Sequence, residues 1–330
     1  MDALELTRAL VALETPTGSE GPATDFLDTL LRRAGYHTVR QPVSPGRENL
    51  YAYRASPTVV FSTHLDTVPP YVPLSEDADI IHGRGSCDAK GLAAAMIAAA
   101  ERLSGRGEQR IGLLFLVGEE NGSDGARVAG ELSPRGRFLI NGEPTENRLS
   151  IGQKGSLRVD LTARGKAAHS AYPEEGDSAI EKLLDILTDL RQTKLPTDDF
   201  FGETTLNIGL ISGGLATNVI PPFAEAGLHI RMVSELEPVQ QALEKAVAGR
   251  GELEVMSCSL PVKMLEVEGF QQKVVRFTTD IPHLPNWGTP LLLGAGSILV
   301  AHTKDEFVLK KDLEESVGLY ENLVKKLLSS

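Results

Sequence analysis

Residues 58–66, Thr-Val-Val-Phe-Ser-Thr-His-Leu-Asp, decide how this chain is read. A short apolar run rich in β-branched and aromatic side chains predicts a strand buried on both faces, and it ends on His64. The pattern recurs twice downstream. Ile111–Val117 (IGLLFLV) runs into Glu119 and Glu120, and residues 137–141 (RFLIN) run into Glu143. Between the first two runs lie a glycine-rich turn, Gly83–Gly85, and an apolar segment from Lys90 to Leu103 that reads as a helix. Strands that alternate with helices and carry polar residues at their C-terminal ends predict an open α/β sheet with its site along that edge.

Outward from this centre, residues 2–14 and about 22–35 have the leucine spacing of amphipathic helices. The texture changes near residue 153. A half-exposed strand at 156–163 precedes a helix at about 178–191, two strands at 205–211 and 224–233, and a helix at about 238–248. This predicts an inserted α+β module with an antiparallel sheet. Near residue 262 the chain returns to the first domain, with a buried strand at 291–293, a glycine-rich turn, His302 and a terminal helix at about 312–328. The expected domains are 1–152 with 262–330, and 153–261.

The net charge of −12 and the absence of a long Lys/Arg run argue against nucleic-acid binding. The two cysteines, Cys87 and Cys258, imply no disulfide framework and a reducing compartment. Charged residues stand in the N-terminal stretch where a signal peptide needs an apolar core, and no apolar segment is long enough to span a bilayer. A cytoplasmic protein with no membrane partner is expected.

Five residues stand out as ligand types. His64 directly follows a buried strand, with Asp66 two residues on to accept from its other ring nitrogen; a hydrogen-bonded core histidine is the alternative. Asp88 lies in the turn Gly83–Gly91, where a carboxylate can bridge two cations or simply cap the following helix. Glu119 and Glu120 repel each other unless one binds metal while the other acts as a base, and a solvated pair is the competing reading. Glu143, stiffened by Pro144, and His302 follow further strands, and each alone is compatible with an ordinary loop. Taken together on one sheet edge, His64, Asp88, Glu120, Glu143 and His302 form a mixed N/O donor set suited to Zn²⁺, Co²⁺ or Mn²⁺.

These motifs resemble those of the co-catalytic zinc aminoacylase and metallopeptidase superfamily, which includes acetylornithine deacetylases, succinyl-diaminopimelate desuccinylases, carboxypeptidase G and related dipeptidases. The similarity rests on His64-Leu65-Asp66, Gly83–Gly91, Glu119-Glu120, Gly142-Glu143-Pro144 and Gly294 to Glu306, and it covers nearly the whole chain. It implies a phosphorylase/hydrolase-like catalytic domain and a ferredoxin-like lid through which the chain forms a homodimer. It implies two divalent ions per chain, zinc first. Asp88 is then the bridging ligand, His64 and Glu143 complete one site, and Glu120 and His302 complete the other. Glu119 is the general base, and Asp66 is the partner of His64. The peptide after Asp88 is expected to be cis.

In the inserted module, Gly165–Ser170 resembles the lid motif whose histidine, here His169, reaches the partner subunit's site and stabilises an oxyanion. Residues 213–221 resemble the segment whose Asn218 contacts substrate, and Arg231 resembles the arginine that binds a substrate carboxylate. A turn histidine, a turn asparagine and a surface arginine are the alternatives. The sequence departs from the usual Gly-Pro-Gly of the C-terminal motif at Gly294-Ala295-Gly296, and the chain is short for the family.

The resemblance of residues 277–282 and of Gly294 to Phe307 implies hydrolysis of a small N-acyl amino acid, with N-acetylornithine or N-acetylcitrulline first. Desuccinylation of N-succinyl-diaminopimelate, or release of lysine or ornithine from a carrier protein, follows. Dipeptidase or carboxypeptidase activity comes next. A non-catalytic metal-stabilised or peptide-binding protein is the alternative of another class, and a base beside the ligands argues against it.

Overall fold

Val59–His64 lies in the middle of a mixed sheet, flanked by two parallel neighbours, Ile111–Leu116 and Phe138–Asn141. The computed structural model describes residues 1–329; Ser330, the last residue of the expected catalytic domain, lies outside the described residues. The chain forms two compact units. The first comprises Met1–Ile151, Lys263–Lys273 and the chain from Thr279 on, and the second Gly152–Val262 and Val274–Thr278. Residues 274–278, expected in the catalytic domain, therefore belong to the second unit. The backbone explains this: Lys154 N donates to Val275 O at 3.2 Å, and the Thr278 hydroxyl donates to Lys154 O at 2.8 Å.

In the first unit the strand order is His37–Ser44, Arg47–Tyr53, Ile111–Leu116, Val59–His64, Phe138–Asn141, Thr289–Leu292, then Leu149–Gln153. The inner strands are buried on both faces, and their side chains alternate accordingly. Phe61, Leu113, Phe115 and Ile140 join a core with helices Ala3–Val11, Lys90–Ser104 and Lys310–Ser329. Val60, Leu114, Leu116 and Leu139 face a second core around Tyr51 and Trp287. Helix Lys90–Ser104 is buried almost all round, as its alanine-rich sequence requires.

The parallel register aligns the strand ends. His64 pairs with Leu116, Ser62 with Asn141, and Asn141 with Leu292. The hairpin of His37–Ser44 and Arg47–Tyr53 has no counterpart in the sequence reading. Charged and polar residues interrupt its apolar positions, and its turn at Gly46 (φ 77°) is the only strong local signal there. A small ladder pairs Ile80–His82 antiparallel with Phe307–Leu309, Phe307 opposite His82.

The second unit is built as strand, helix, strand, strand, helix, strand. Its antiparallel sheet runs Thr205–Gly213, Phe223–Met232, Gly155–Arg164, Glu252–Ser259, which is the ferredoxin-like order. Alternate residues of Gly155–Arg164 pack against helices Ala179–Gln192 and Leu236–Val247. The edge strand Thr205–Gly213 leaves Leu210 and Ile211 75% and 59% exposed. Among the described residues no helix is long and apolar enough to cross a membrane.

Candidate metal centre

The aligned strand ends of the first unit deliver three of the five expected ligands, His64, Glu120 and Glu143. His64 is the last residue of its strand. Glu119 and Glu120 open a short 3₁₀ turn, Glu119–Asn121, after Leu116, and Glu143 follows Asn141, whose neighbour Gly142 donates its N–H to Ser62 O at 2.8 Å. Asp88 comes from the turn that precedes helix Lys90–Ser104, and its peptide to Ala89 is cis. A Cβ at Gly91 would collide with the carbonyl oxygen of Ser86, so glycine there lets the turn close against the helix. His302 sits in the loop after Thr289–Leu292, in the left-handed region at φ 63°.

These residues converge. Asp88 Oδ1 lies 3.0 Å from His64 Nε2, and Asp88 Oδ2 lies 3.3 Å from His302 Nε2. Glu143 Oε2 is 3.9 Å from His64 Nε2, and Glu120 Oε2 is 2.9 Å from His302 Nε2. Two overlapping groups result, His64/Asp88/Glu143 and Asp88/Glu120/His302, each with its candidate ligand atoms within 4.8 Å of one another. The first is deeply buried and the second opens outward, with the His302 side chain 49% exposed.

The electrostatics show what the donor set lacks. Burial raises the carboxyls of Glu119 and Glu143 well above the usual carboxylate range, and Asp88 and other nearby acids add to this. Burial disfavours charge on His64, but hydrogen bonds to Asp66 and Asp88 outweigh it and hold its pKa well above the ordinary value. Hydrogen bonds to Asp88 and Glu120 push His302 up to about 10. Asp88 is held below the usual range: burial works against its charge, and the two imidazoles more than offset that. Glu143 Oε1 is buried with no hydrogen-bond partner. Clustered buried acids, one with an orphaned oxygen, facing two imidazoles with strong proton affinity, fit a pair of divalent cations, because protons and metal ions compete for these donors.

Asp66 plays a broader part than expected. The nearest Asp66 atom to His64 Nδ1 is the backbone carbonyl, at 2.9 Å, whereas carboxylate Oδ1 is 3.5 Å away. The carboxylate also gathers the backbone of the Glu119–Asn121 turn. Oδ1 accepts from Gly118 N and Glu119 N at 3.0 and 3.1 Å, and Oδ2 from Glu120 N at 3.1 Å and the Thr17 hydroxyl at 2.8 Å.

Sequence reasoning passed over Asp280 as a site residue. It is 1% exposed, its Oδ1 has no hydrogen-bond partner, and burial pushes its carboxyl up to about 7 against the pull of a Ser123 hydrogen bond. An acid directly before Ile281-Pro282 is too common in turns to signal this.

The remaining expected residues belong to the second unit. His169 and Asn218 come from separate motifs that the fold brings together: His169 bridges Val219, and Ser170 N donates to Asn218 O at 3.0 Å. Both side chains are exposed, and Ala171 N donates to His169 Nδ1 at 3.1 Å. Arg231 lies on Phe223–Met232, half-buried, with Nη1 3.5 Å from the Thr278 hydroxyl.

Comparison with known proteins agrees with this architecture. Residues 151–252 match the model of a peptidase dimerisation domain. The chain is 39% identical over 334 residues to a peptidase M20 domain-containing protein of Schizosaccharomyces pombe, covering 97% of this chain and 84% of that protein. It is 36% identical over 380 residues to a probable carboxypeptidase of Aspergillus fumigatus, covering 98% and 86%. Among solved structures, a tripeptidase from Staphylococcus aureus has the same fold, with a TM-score of 0.79 at 21% identity over 98% of this chain and 96% of that one. An M20 family metallo-carboxypeptidase from Sulfolobus solfataricus gives a TM-score of 0.78 at 17% identity over 99% of both. With relatives this similar along almost its whole length, and with two clusters of metal-ligand type at its sheet edge, the chain belongs to the M20 peptidase family of hydrolases.

Proposed function

We propose that the protein is a dinuclear metal hydrolase that cleaves the amide joining an acyl group to an amino acid with a free α-carboxylate, and that the acyl group is a peptide. The observation that carries this reading is the placement of Asp88, one oxygen toward each imidazole, beside a glutamate pair of which Glu120 faces His302. His64, Asp88 and Glu143 hold one ion. Asp88, Glu120 and His302 hold the other. The ions are Zn²⁺, with Co²⁺ or Mn²⁺ as replacements that suit the same donors. When bound, such a pair supplies an acidified water and a Lewis acid for the scissile carbonyl.

Glu119 remains free for proton transfer. Its carboxylate takes a proton from the attacking water as the new C–O bond forms, and returns it to the departing nitrogen as the C–N bond breaks. His169 donates to the oxyanion, Asn218 contacts the substrate, and Arg231 pairs with the substrate carboxylate through charge-assisted hydrogen bonds. The second unit, Gly152–Val262 with the short return segment Val274–Thr278, is the lid and the homodimer interface. Its match to a dimerisation domain and the exposed apolar edge at Leu210 and Ile211 support this. Two unpaired cysteines support a cytoplasmic location.

The names of the relatives favour a peptidyl acyl group. Removal of acetyl from N-acetylornithine or N-acetylcitrulline is the second reading, favoured by the resemblance of residues 277–282 and 294–307. One experiment separates them: amine release from N-blocked dipeptides, free dipeptides, N-acetyl and N-succinyl amino acids, each with Zn²⁺, Co²⁺ or Mn²⁺. Metal-dependent release of the C-terminal amino acid from the peptides is the expected result. Turnover confined to the acetyl compounds selects the second reading, and no turnover of any substrate by metal-loaded protein removes both.

A further inference from the structure

The turn that presents Asp88 is anchored from the far end of the chain. Glu306 has no exposed surface, and its Oε1 accepts the backbone N–H groups of Gly85, Cys87 and Asp88 at 2.9, 3.2 and 3.1 Å. Its Oε2 pairs with Arg84 Nη1 at 2.5 Å, and Arg84 is itself 1% exposed. The main chain reinforces the link. Gly83 N donates to Glu306 O at 3.1 Å, one step beyond the His82–Phe307 pair of the small ladder.

Four residues before Glu306 stands His302, whose ring meets Asp88 Oδ2 and Glu120. One carboxylate thus gathers the Asp88 turn and, through four residues of chain, carries His302. Hydrogen bonds from N–H to a carboxylate are stronger than to a neutral oxygen, and a buried guanidinium needs a counter-charge. Glutamate meets both needs here; glutamine meets only the first, and weakly. Glu306 has no route to substrate, so it acts through Asp88 and His302.

We propose that Glu306 is a positioning residue that holds the Asp88 and His302 loops at the separation required by the ion shared among Asp88, Glu120 and His302. The inference rests on the dinuclear reading above. It goes further by assigning the strength of one of the two sites to a residue that is not a ligand.

The test is titration of Zn²⁺ into the metal-stripped full-length protein, counting bound ions per chain, with circular dichroism to confirm folding. Wild type, Glu306→Gln, Glu306→Asp and the double variant Arg84→Met/Glu306→Gln are compared. In Glu306→Gln the first ion is expected to bind as in wild type and the second about 10- to 100-fold more weakly. The double variant removes the stranded arginine charge, so it is expected to regain thermal stability without regaining the second ion. A purely structural role would restore both. Glu306→Asp keeps the charge one methylene short and is expected to fall between. If Glu306→Gln does not fold, the double variant makes the same comparison. Wild-type affinity for the second ion in the folded variants overturns this inference alone. Fewer than two ions bound by wild type overturns the proposed function and this inference with it.

Discussion

Asp66 holds Glu119 by its backbone: Oδ1 accepts the Glu119 N–H at 3.1 Å and the Gly118 N–H at 3.0 Å. The carboxyl proposed as the base therefore projects from a 3₁₀ turn whose first amides are tied to a residue just beyond the central strand. Asp66→Asn replaces one acceptor oxygen with a donor facing Glu120 N. The variant is expected to fold and to lose about 10- to 100-fold in kcat, with KM changed less. Steady-state kinetics at measured metal content checks this, and a wild-type kcat would show that the turn is held without Asp66.

Glu119→Gln keeps the shape of the side chain and removes its proton chemistry. Metal content is expected to stay at the wild-type level while kcat falls by about 10²- to 10⁴-fold. Near-normal turnover in the metal-loaded variant would take Glu119 out of the base role.

The two histidines differ in burial, and their variants are expected to differ in kind. His302 has a half-exposed side chain, so His302→Ala is expected to cost little in folding and, on the proposed ligand role, to lower bound metal from two ions toward one. His64 is 1% exposed among Asp88, Glu143 and Asp66. His64→Ala leaves buried carboxylates without their cationic neighbour, and is expected to lower thermal stability as well as metal binding. Elemental analysis and thermal unfolding of both variants separate these outcomes; equal loss of stability in the two would contradict the difference in burial.

Acid and metal compete at His302. Its folded pKa, about 10 against an ordinary 6.5, means that the folded metal-free protein holds this proton more tightly than the unfolded chain does. The resulting stabilisation is complete below about pH 6.5 and is lost as pH rises toward about 10. Metal-stripped protein is therefore expected to melt at falling temperature as pH rises through this window. Zn²⁺ affinity rises over the same range, because the imidazole must give up its proton to bind an ion. Melting curves with and without chelator at pH 6.5 to 10 check both trends, and a flat profile for the stripped protein would contradict the assignment.

Much of this protein could be read from local pattern. The runs at 58–64, 111–117 and 137–141 are largely apolar because both faces of those strands are buried. His64, Glu119, Glu120 and Glu143 were legible as polar residues at strand ends, and the apolar segment from Lys90 to Leu103 as a helix. The polar hairpin at 37–53 was not legible, because its strands carry charge at the sheet edge.

Burial and periodicity are local properties, and a single stretch of sequence records them. Which carboxylate meets which donor is not local. Asp66 reaches the Glu119 amide across 53 positions and Glu306 reaches the Gly85 amide across 221, and only the sheet register and the small ladder bring those partners together. By itself the sequence determined the strands, the ligand types and the edge on which they lie. The tertiary structure alone decided that Asp280 is buried, and that Asp66 and Glu306 hold the backbone of the turns that carry the site. The physical reason is that a hydrogen bond depends on distances of a few ångströms, which the chain attains only after both partners have been placed by the packing of everything between them.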